Sequence, residues 1–371
     1  MRPRARVLFV SCAPETRGHT YRVVHHVSAL RVAGMEASWM PLSEAIRANV
    51  DDLDVVVAFR AVWNSEWESL LGRCRTGGTS FGFDVDDLLF DSRIMMVEYF
   101  DYLRSLTEDE RNVWMKDIEG YHQTLMRSDF ALVSTSPLAE AVRALGKPAY
   151  VLSNGVDAAM IAKADAALAA SDGRSSAVTS RVRLGYASGT PTHQKDFAVV
   201  APVLAVLLDE RPELELTVVG FLDMEEFPSL YRHRGRIELR SHVPHLELFQ
   251  EYARFDINLA PLQCGNPFCE SKSELKYFEA ALVAVPTVAA ATTPYRAAIQ
   301  NGETGFCARS PEEWRDSLLT LLSSAEERAR IGRNARRHAI ATFGPEAQSA
   351  AASKTFAAII GNARDLRIQK T

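Results

Sequence analysis

The 371-residue sequence has no apolar run that approaches the length needed to span a bilayer. It has no basic excess either. Lys and Arg number 42 against 47 Asp and Glu, a formal net charge of -5, which argues against a broad nucleic-acid surface. Cysteine is scarce and odd in number. The five, Cys12, Cys74, Cys264, Cys269 and Cys307, fit no zinc spacing and read as reduced thiols of a cytoplasmic protein. The Gly-bearing loop at 12–19 lacks G-x-G-x-x-G, so no dinucleotide fingerprint is supported. The arginine-rich start and residues 7–10 imitate a secretory leader. The apolar stretch is too short for one, and Glu15 and Arg17 follow at once, so a first β-strand is expected instead. Peripheral contact with the inner membrane surface stays open.

What is present is ordinary for a soluble globular protein: 47% hydrophobic and 24% charged residues, enough to bury a sizeable core. The length suggests two domains. Residues 7–11, a Gly-containing loop and a helix over about 20–32 form the strand–loop–helix opening of a doubly wound unit, where ligands sit beyond the strand's C-terminal end. Further strands are expected near 36–40, 54–59, 79–83, 130–134 and 149–152. The Ala/Ser-rich segment 161–182 reads as a loose helix and linker. A second strand–loop–helix series starts at 183. The expected division is 1–160, 161–182 as linker, 183–345, and a terminal helix over 346–371. Asp84, Asp86, Asp87 and Asp91 invite a metal reading, but the Gly and distal Glu of an EF-hand loop are missing.

The most informative stretch is 269–288. Ser271 and Glu274 have the S-x-x-E spacing of a capping box, which places Lys272 as the first helical residue. Leu275, Phe278, Leu282 and Val285 recur at helical spacing. Lys272, Lys276 and Glu279 form a stripe beside them. Pro286 ends the helix, and 287–290 read as a strand. Lysines in the early turns of a helix suit an anion such as phosphate, and Glu279 suits sugar hydroxyls.

Glu279-Ala-Ala-Leu-Val-Ala-Val-Pro286 resembles the second half of the C-terminal signature of retaining GT-B glycosyltransferases of family 4, also called group 1. The form Lys272-Ser273-x-Leu275-Lys276-x-x-Glu279 is similar to a K-S-x-x-K subgroup of that family. The first half of the usual signature departs: Ser271 stands where an acid is usual, with Glu270 one residue early, and Ala284 replaces the usual Gly. Gly189 and Lys195 keep the family's Gly-to-Lys spacing, with Thr190 where Arg is usual. Ser153-Asn-Gly-Val-Asp157 is similar to the segment that closes the family's first domain.

The resemblance implies an α/β GT-B fold: two doubly wound, Rossmann-like domains facing across a cleft. It implies transfer of a sugar from a nucleotide-diphospho-sugar to a hydroxyl acceptor, which would be a glycan, a lipid-linked compound or a small molecule in glycan or polysaccharide biosynthesis. It also implies retention and no required metal or other cofactor. Donor-binding candidates are Gly18, Gly189, Thr190, Lys195, Val243, Glu270, Ser271, Lys272, Ser273 and Glu279. Acceptor-side candidates are His19, Arg22 and Asp86. Lys195, His193 and Asp87 are the catalytic candidates. The departures at Ser271 and Thr190 support a rival, a non-catalytic GT-B subunit that binds a sugar nucleotide or a partner enzyme; a third reading is a GT-B epimerase that acts on the nucleotide-sugar without an acceptor.

Overall fold

A computed structural model describes residues 5–94, 99–175, 181–190 and 193–368. Two six-stranded sheets organise it. The first holds β1 (Arg6–Ser11), β2 (Glu36–Pro41), β3 (Val55–Phe59), β4 (Ser80–Val85), β5 (Phe130–Val133) and β6 (Ala149–Val151), in the order β2-β1-β3-β4-β5-β6. The second holds β7 (Val182–Ser188), β8 (Leu214–Gly220), β9 (Ile237–Arg240), β10 (Ile257–Ala260), β11 (Thr287–Ala290) and β12 (Phe306–Ala308), in the order β12-β11-β10-β7-β8-β9. Every strand pair is parallel. Runs such as Val55–Phe59 are apolar at every position because helices cover both faces of a parallel sheet. In each sheet the strand order reverses beside the first strand, between β1 and β3 and between β7 and β10. Ligands of such folds sit at the C-terminal ends of the strands at these switch points.

The segment read as a loose helix and linker contains a helix, Ala158–Ser175, that packs into the second domain. Met160, Ala164 and Ala167 recur along it and are buried in the core of the second domain with Val182, Leu248 and Phe278. Alanines at these positions let the helix approach its neighbours closely, which composition alone read as a loose, polar segment. Part of the expected linker, 176–180, lies outside the described residues. The crossing itself is short. The Val156 N–H donates to the Phe343 carbonyl at 2.8 Å, so the outgoing and returning segments touch. A Cβ on Gly155 would meet the Gln348 side chain at 2.3 Å, so only glycine lets the two pass this closely. The last helix, Pro345–Ile368, then packs Ala352, Phe356 and Ile359 into the first domain's core beside Phe9.

Candidate active site

A cavity of about 580 Å³, counted with its open mouth, lies at the C-terminal ends of β7 and β8. Its walls include Ser188, Gly189 and Thr190 after β7, Val243 after β9, and Lys276 and Glu279 from the helix Leu275–Leu282. Arg17 enters from the first domain, and its guanidinium lies 3.7 Å from where a Cβ on Gly189 would stand. Gly220, at φ 96°, ends β8 against β7: a Cβ there would lie 2.0 Å from the Ser188 carbonyl. Glycine is therefore required for the floor of this cavity to close.

Glu279 is the most elaborately held acid at the site. It is 2% exposed. Oε1 accepts the Tyr21 hydroxyl at 2.6 Å, Oε2 accepts the Tyr252 hydroxyl at 3.1 Å, and His245 Nε2 lies 3.4 Å away. Burial works to raise its pKa, but His245, Arg17 and Tyr21 together outweigh burial and hold it at about 2. The carboxylate is thus ionised and fixed in place, with lone pairs left for hydroxyl donors.

Two lysines flank it differently. At Lys276, burial, assisted by the like charge of Lys272, lowers the pKa to about 8. An arriving anion would relieve that strain. Lys272 is already paired: its ammonium lies 3.4 Å from both Asp196 Oδ2 and His193 Nδ1. His193 Nδ1 is 2.9 Å from Asp196. Burial and the Lys272 charge push its pKa down to about 4, so the ring is neutral at physiological pH. Asp196 is itself held well below the usual carboxylate range: burial opposes this, but Lys272 and His193 prevail. With the His193 Nδ1 proton directed at Asp196, Nε2 keeps its lone pair as an acceptor.

The capping box expected at Ser271 and Glu274 does not form. A short helix, Pro267–Glu270, capped by Asn266, comes first, and the next begins at Leu275 with Glu274 as an N-cap that makes no side-chain cap bond. Lys272 is therefore not a first-turn residue. Asn-Pro at 266–267 is itself a helix start, and it took precedence over the one at Ser271. The Ser271 hydroxyl donates back to the Pro267 carbonyl, while the Ser271 carbonyl accepts from Thr135. Ser273 Oγ accepts from Asn154 at 2.9 Å. Glu270 accepts from the N–H groups of Gly265 and Thr293. These three side chains tie loops and domains together. Lys195 sits in the short helix Gln194–Ala198, and its backbone N–H donates to Asp101 of the first domain at 2.9 Å.

On the first domain, Arg22 is not an acceptor contact. It is fully buried and forms a two-point pair with Asp84 at 2.9 and 3.0 Å, and it also donates to the carbonyl of Leu152 and to Asn154. All three guanidinium nitrogens are engaged with protein and the side chain is fully buried, so it packs as a structural group inside the domain. His19 Nδ1 is 2.9 Å from Ser11 Oγ, and its ring packs edge-on against Trp39. Asp86 and Asp87 both bind Arg60, at 2.7 and 3.3 Å. Arg60 follows β3 with φ 45°, a left-handed conformation that costs about 1 kcal/mol or more for a non-glycine residue. Gly18 lets this group pack tightly, since a Cβ would meet Asp86 Oδ2 at 2.6 Å. Burial, with the Asp86 charge, raises the pKa of Asp87.

The structure thus gathers Gly189, Thr190, His193, Val243 and Glu279 around one cavity, with Lys272 one contact behind. It adds Arg17, Tyr21, Lys276, His245 and Tyr252, which were not among the candidates. Lys276 stood on the same stripe as Glu279, and Arg17 precedes Gly18, so both had a sequence signal. Tyr21, His245 and Tyr252 had none.

Residues 201–351 match a family model described as "Glycosyl transferase-like". The D-inositol 3-phosphate glycosyltransferase of Corynebacterium glutamicum is 32% identical over 176 residues, which cover 44% of this chain and 40% of that relative. The matched stretch therefore spans well under half of the relative's length. Anabaena HepE in complex with UDP superposes with a TM-score of 0.64 at 13% identity, over 95% of this chain and 100% of that one. Sucrose-phosphate synthase from Thermosynechococcus elongatus gives 0.65 at 13% identity, over 96% and 100%. At these identities the likeness defines the fold, and the fold is GT-B, two parallel α/β domains facing each other.

Proposed function

We propose that this chain is a glycosyltransferase that moves a sugar from a nucleotide-diphospho-sugar to a hydroxyl acceptor. One observation carries the reading: Arg17, Lys276 and a preset, ionised Glu279 converge on one cavity at the C-terminal ends of β7 and β8. The diphosphate meets the two cations, and Glu279 accepts hydroxyls, the ribose pair first among them. The UDP in the HepE complex makes UDP-sugars the first donors to test. As the glycosidic bond breaks, negative charge grows on the leaving diphosphate, and fixed cations that face it lower the barrier. Lys195, two residues after His193, adds to that field. Its replacement by Ala is expected to lower kcat more than it raises KM.

Transfer is proposed to proceed with retention and without a metal. Among the described residues, no group of three or more His, Cys, Asp or Glu side chains is placed to hold an ion. The motivation is positive, however: Asp84 is paired with Arg22, and Asp86 and Asp87 with Arg60, so arginines already fill the place of a cation beside these acids. Asp87 is the carboxylate proposed to face the acceptor. The acceptor is a glycan, a lipid-linked compound or a small molecule, at a cytoplasmic site or the inner membrane surface.

The test is a donor panel of UDP-, GDP-, dTDP- and ADP-sugars, read by thermal shift and by nucleotide release, with and without EDTA. A true donor well above its Kd should stabilise the fold by about 3 kcal/mol through mass action. Release of nucleotide that survives EDTA is the expected result. Loss with EDTA and recovery with Mg²⁺ would put the acids at the end of β4 at the centre of the chemistry. Tight binding with no turnover for any acceptor would instead favour a non-catalytic subunit.

A further inference from the structure

A second cavity, about 600 Å³ with its mouth, opens between the domains on the side of the chain crossing, at the ends of β5 and β6. It holds an acid that the donor site does not use. Glu274, released by the failed capping box, is 7% exposed and lines this cavity. Its carboxylate meets only its own backbone N–H and makes no hydrogen bond or ion pair to another side chain among the described residues. A buried carboxylate without a partner is costly, and native proteins keep one where a ligand completes it. The cavity is also lined by Ser136, Ser153 and Thr342, with Pro294 and Phe343 as apolar wall. Leu275, the next residue, lines the donor cavity, so one turn of chain separates the two.

We propose that this cavity is a binding site for a small, neutral, carbohydrate-type polyol whose hydroxyls donate to Glu274. A carboxylate can accept two neighbouring hydroxyls at once, surrounding Ser and Thr hydroxyls can both donate and accept, and an apolar wall suits the C–H face of a sugar ring. An anionic ligand is disfavoured by the carboxylate. Burial pushes the Glu274 pKa up to about 7, and donated hydroxyls would stabilise its ionised form. The site does not depend on the donor reading.

The test is ligand-observed NMR on the full chain with neutral monosaccharides, disaccharides and myo-inositol, with UDP titrated in parallel. At least one polyol should bind. Glu274→Gln, which keeps the shape and removes the charge, should weaken it at least tenfold. Ala297→Leu, a change at an exposed position on the cavity wall, should also weaken it and still leave the fold intact. Neither variant should alter UDP binding. A bound polyol consumed in the presence of a sugar donor is the acceptor, and one left unchanged is an effector. Both outcomes support the site. No polyol binding at tens of millimolar, binding restricted to amines, or equal binding by wild type and both variants would overturn it. Failure of UDP to bind would bear on the donor reading alone.

Discussion

At the scale of single residues, charge and burial separate the groups that hold the fold from those that can meet a ligand. Arg22 and Asp84 illustrate the first kind. Both are wholly buried and bonded at two points, so removing one partner strands a charge in the core. Asp84→Asn is expected to cost about 3–5 kcal/mol in denaturant unfolding. An unchanged midpoint would return these residues to the list of ligand contacts. Lys276 illustrates the second kind. It titrates near 8, so its charge is present below that pH and is lost as pH rises through it. His193, near 4, and Glu279, near 2, titrate well outside this window. Affinity for a nucleoside diphosphate should therefore be level from about pH 6 to 7.5 and fall above about pH 8, by up to tenfold per unit. Lys276→Arg should flatten the profile, since guanidinium stays charged throughout. A wild-type profile level to pH 9.5 would remove Lys276 from the diphosphate site. The same group bears on stability with the opposite sign. Its folded pKa lies below the value of 10.5 for the free side chain, so the unfolded chain binds more protons, and stability should rise between about pH 8 and 10.5.

At the scale of elements, the turn after the helix Leu275–Leu282 shows how a departure from a sequence pattern becomes a stability term. Ala284 adopts φ 57°, the left-handed conformation that favours the glycine usual at this position. Gly332 on the helix Ala325–Phe343 faces it, and a Cβ there would lie 1.9 Å from the Ala284 carbonyl. The two positions should respond in opposite directions. Ala284→Gly should stabilise by a few tenths to about 1 kcal/mol, because relief of strain is partly offset by the entropy of glycine in the unfolded chain. Gly332→Ala should destabilise, because backbone must move. Unfolding midpoints that shift the same way for both would contradict this packing. Elements were the legible part of the sequence. Residues 7–10 and 55–59 are uniformly apolar, and this identifies strands covered on both faces. The start of the helix near 271 was misplaced because two start signals compete within five residues. The helix at 158–175 is legible in the sequence, but its packing is not, because buried alanines look the same as exposed ones in composition. Of the site, Gly189 and Glu279 were legible through their spacing. Tyr21 was not, because its contact with Glu279 spans 258 residues and exists only once two domains meet.

At the scale of the whole molecule, the donor cavity belongs to both domains. The second supplies Gly189, Lys276 and Glu279, and the first completes it with Arg17 and Tyr21. Other contacts hold the domains in this relation: Thr135 to Ser271, Asn154 to Ser273, Asn266 to Tyr99, and the Lys195 N–H to Asp101. Apolar contacts join them, with Phe268 packed against Phe100 and Tyr21 against Phe278. On the proposed reading, the first domain would contact the donor directly through Arg17, a side chain the second domain does not own. Calorimetric titration of wild type, Arg17→Ala and Glu279→Ala with UDP, GDP, dTDP and ADP tests this most directly. One of the four nucleotides should bind the wild type. Each substitution should weaken that binding by about 1.5–3 kcal/mol, the range for a charge-assisted hydrogen bond, while unfolding stays cooperative. Absence of binding by all four, or full affinity in both variants, would contradict the assignment of this cavity as the nucleotide-sugar site.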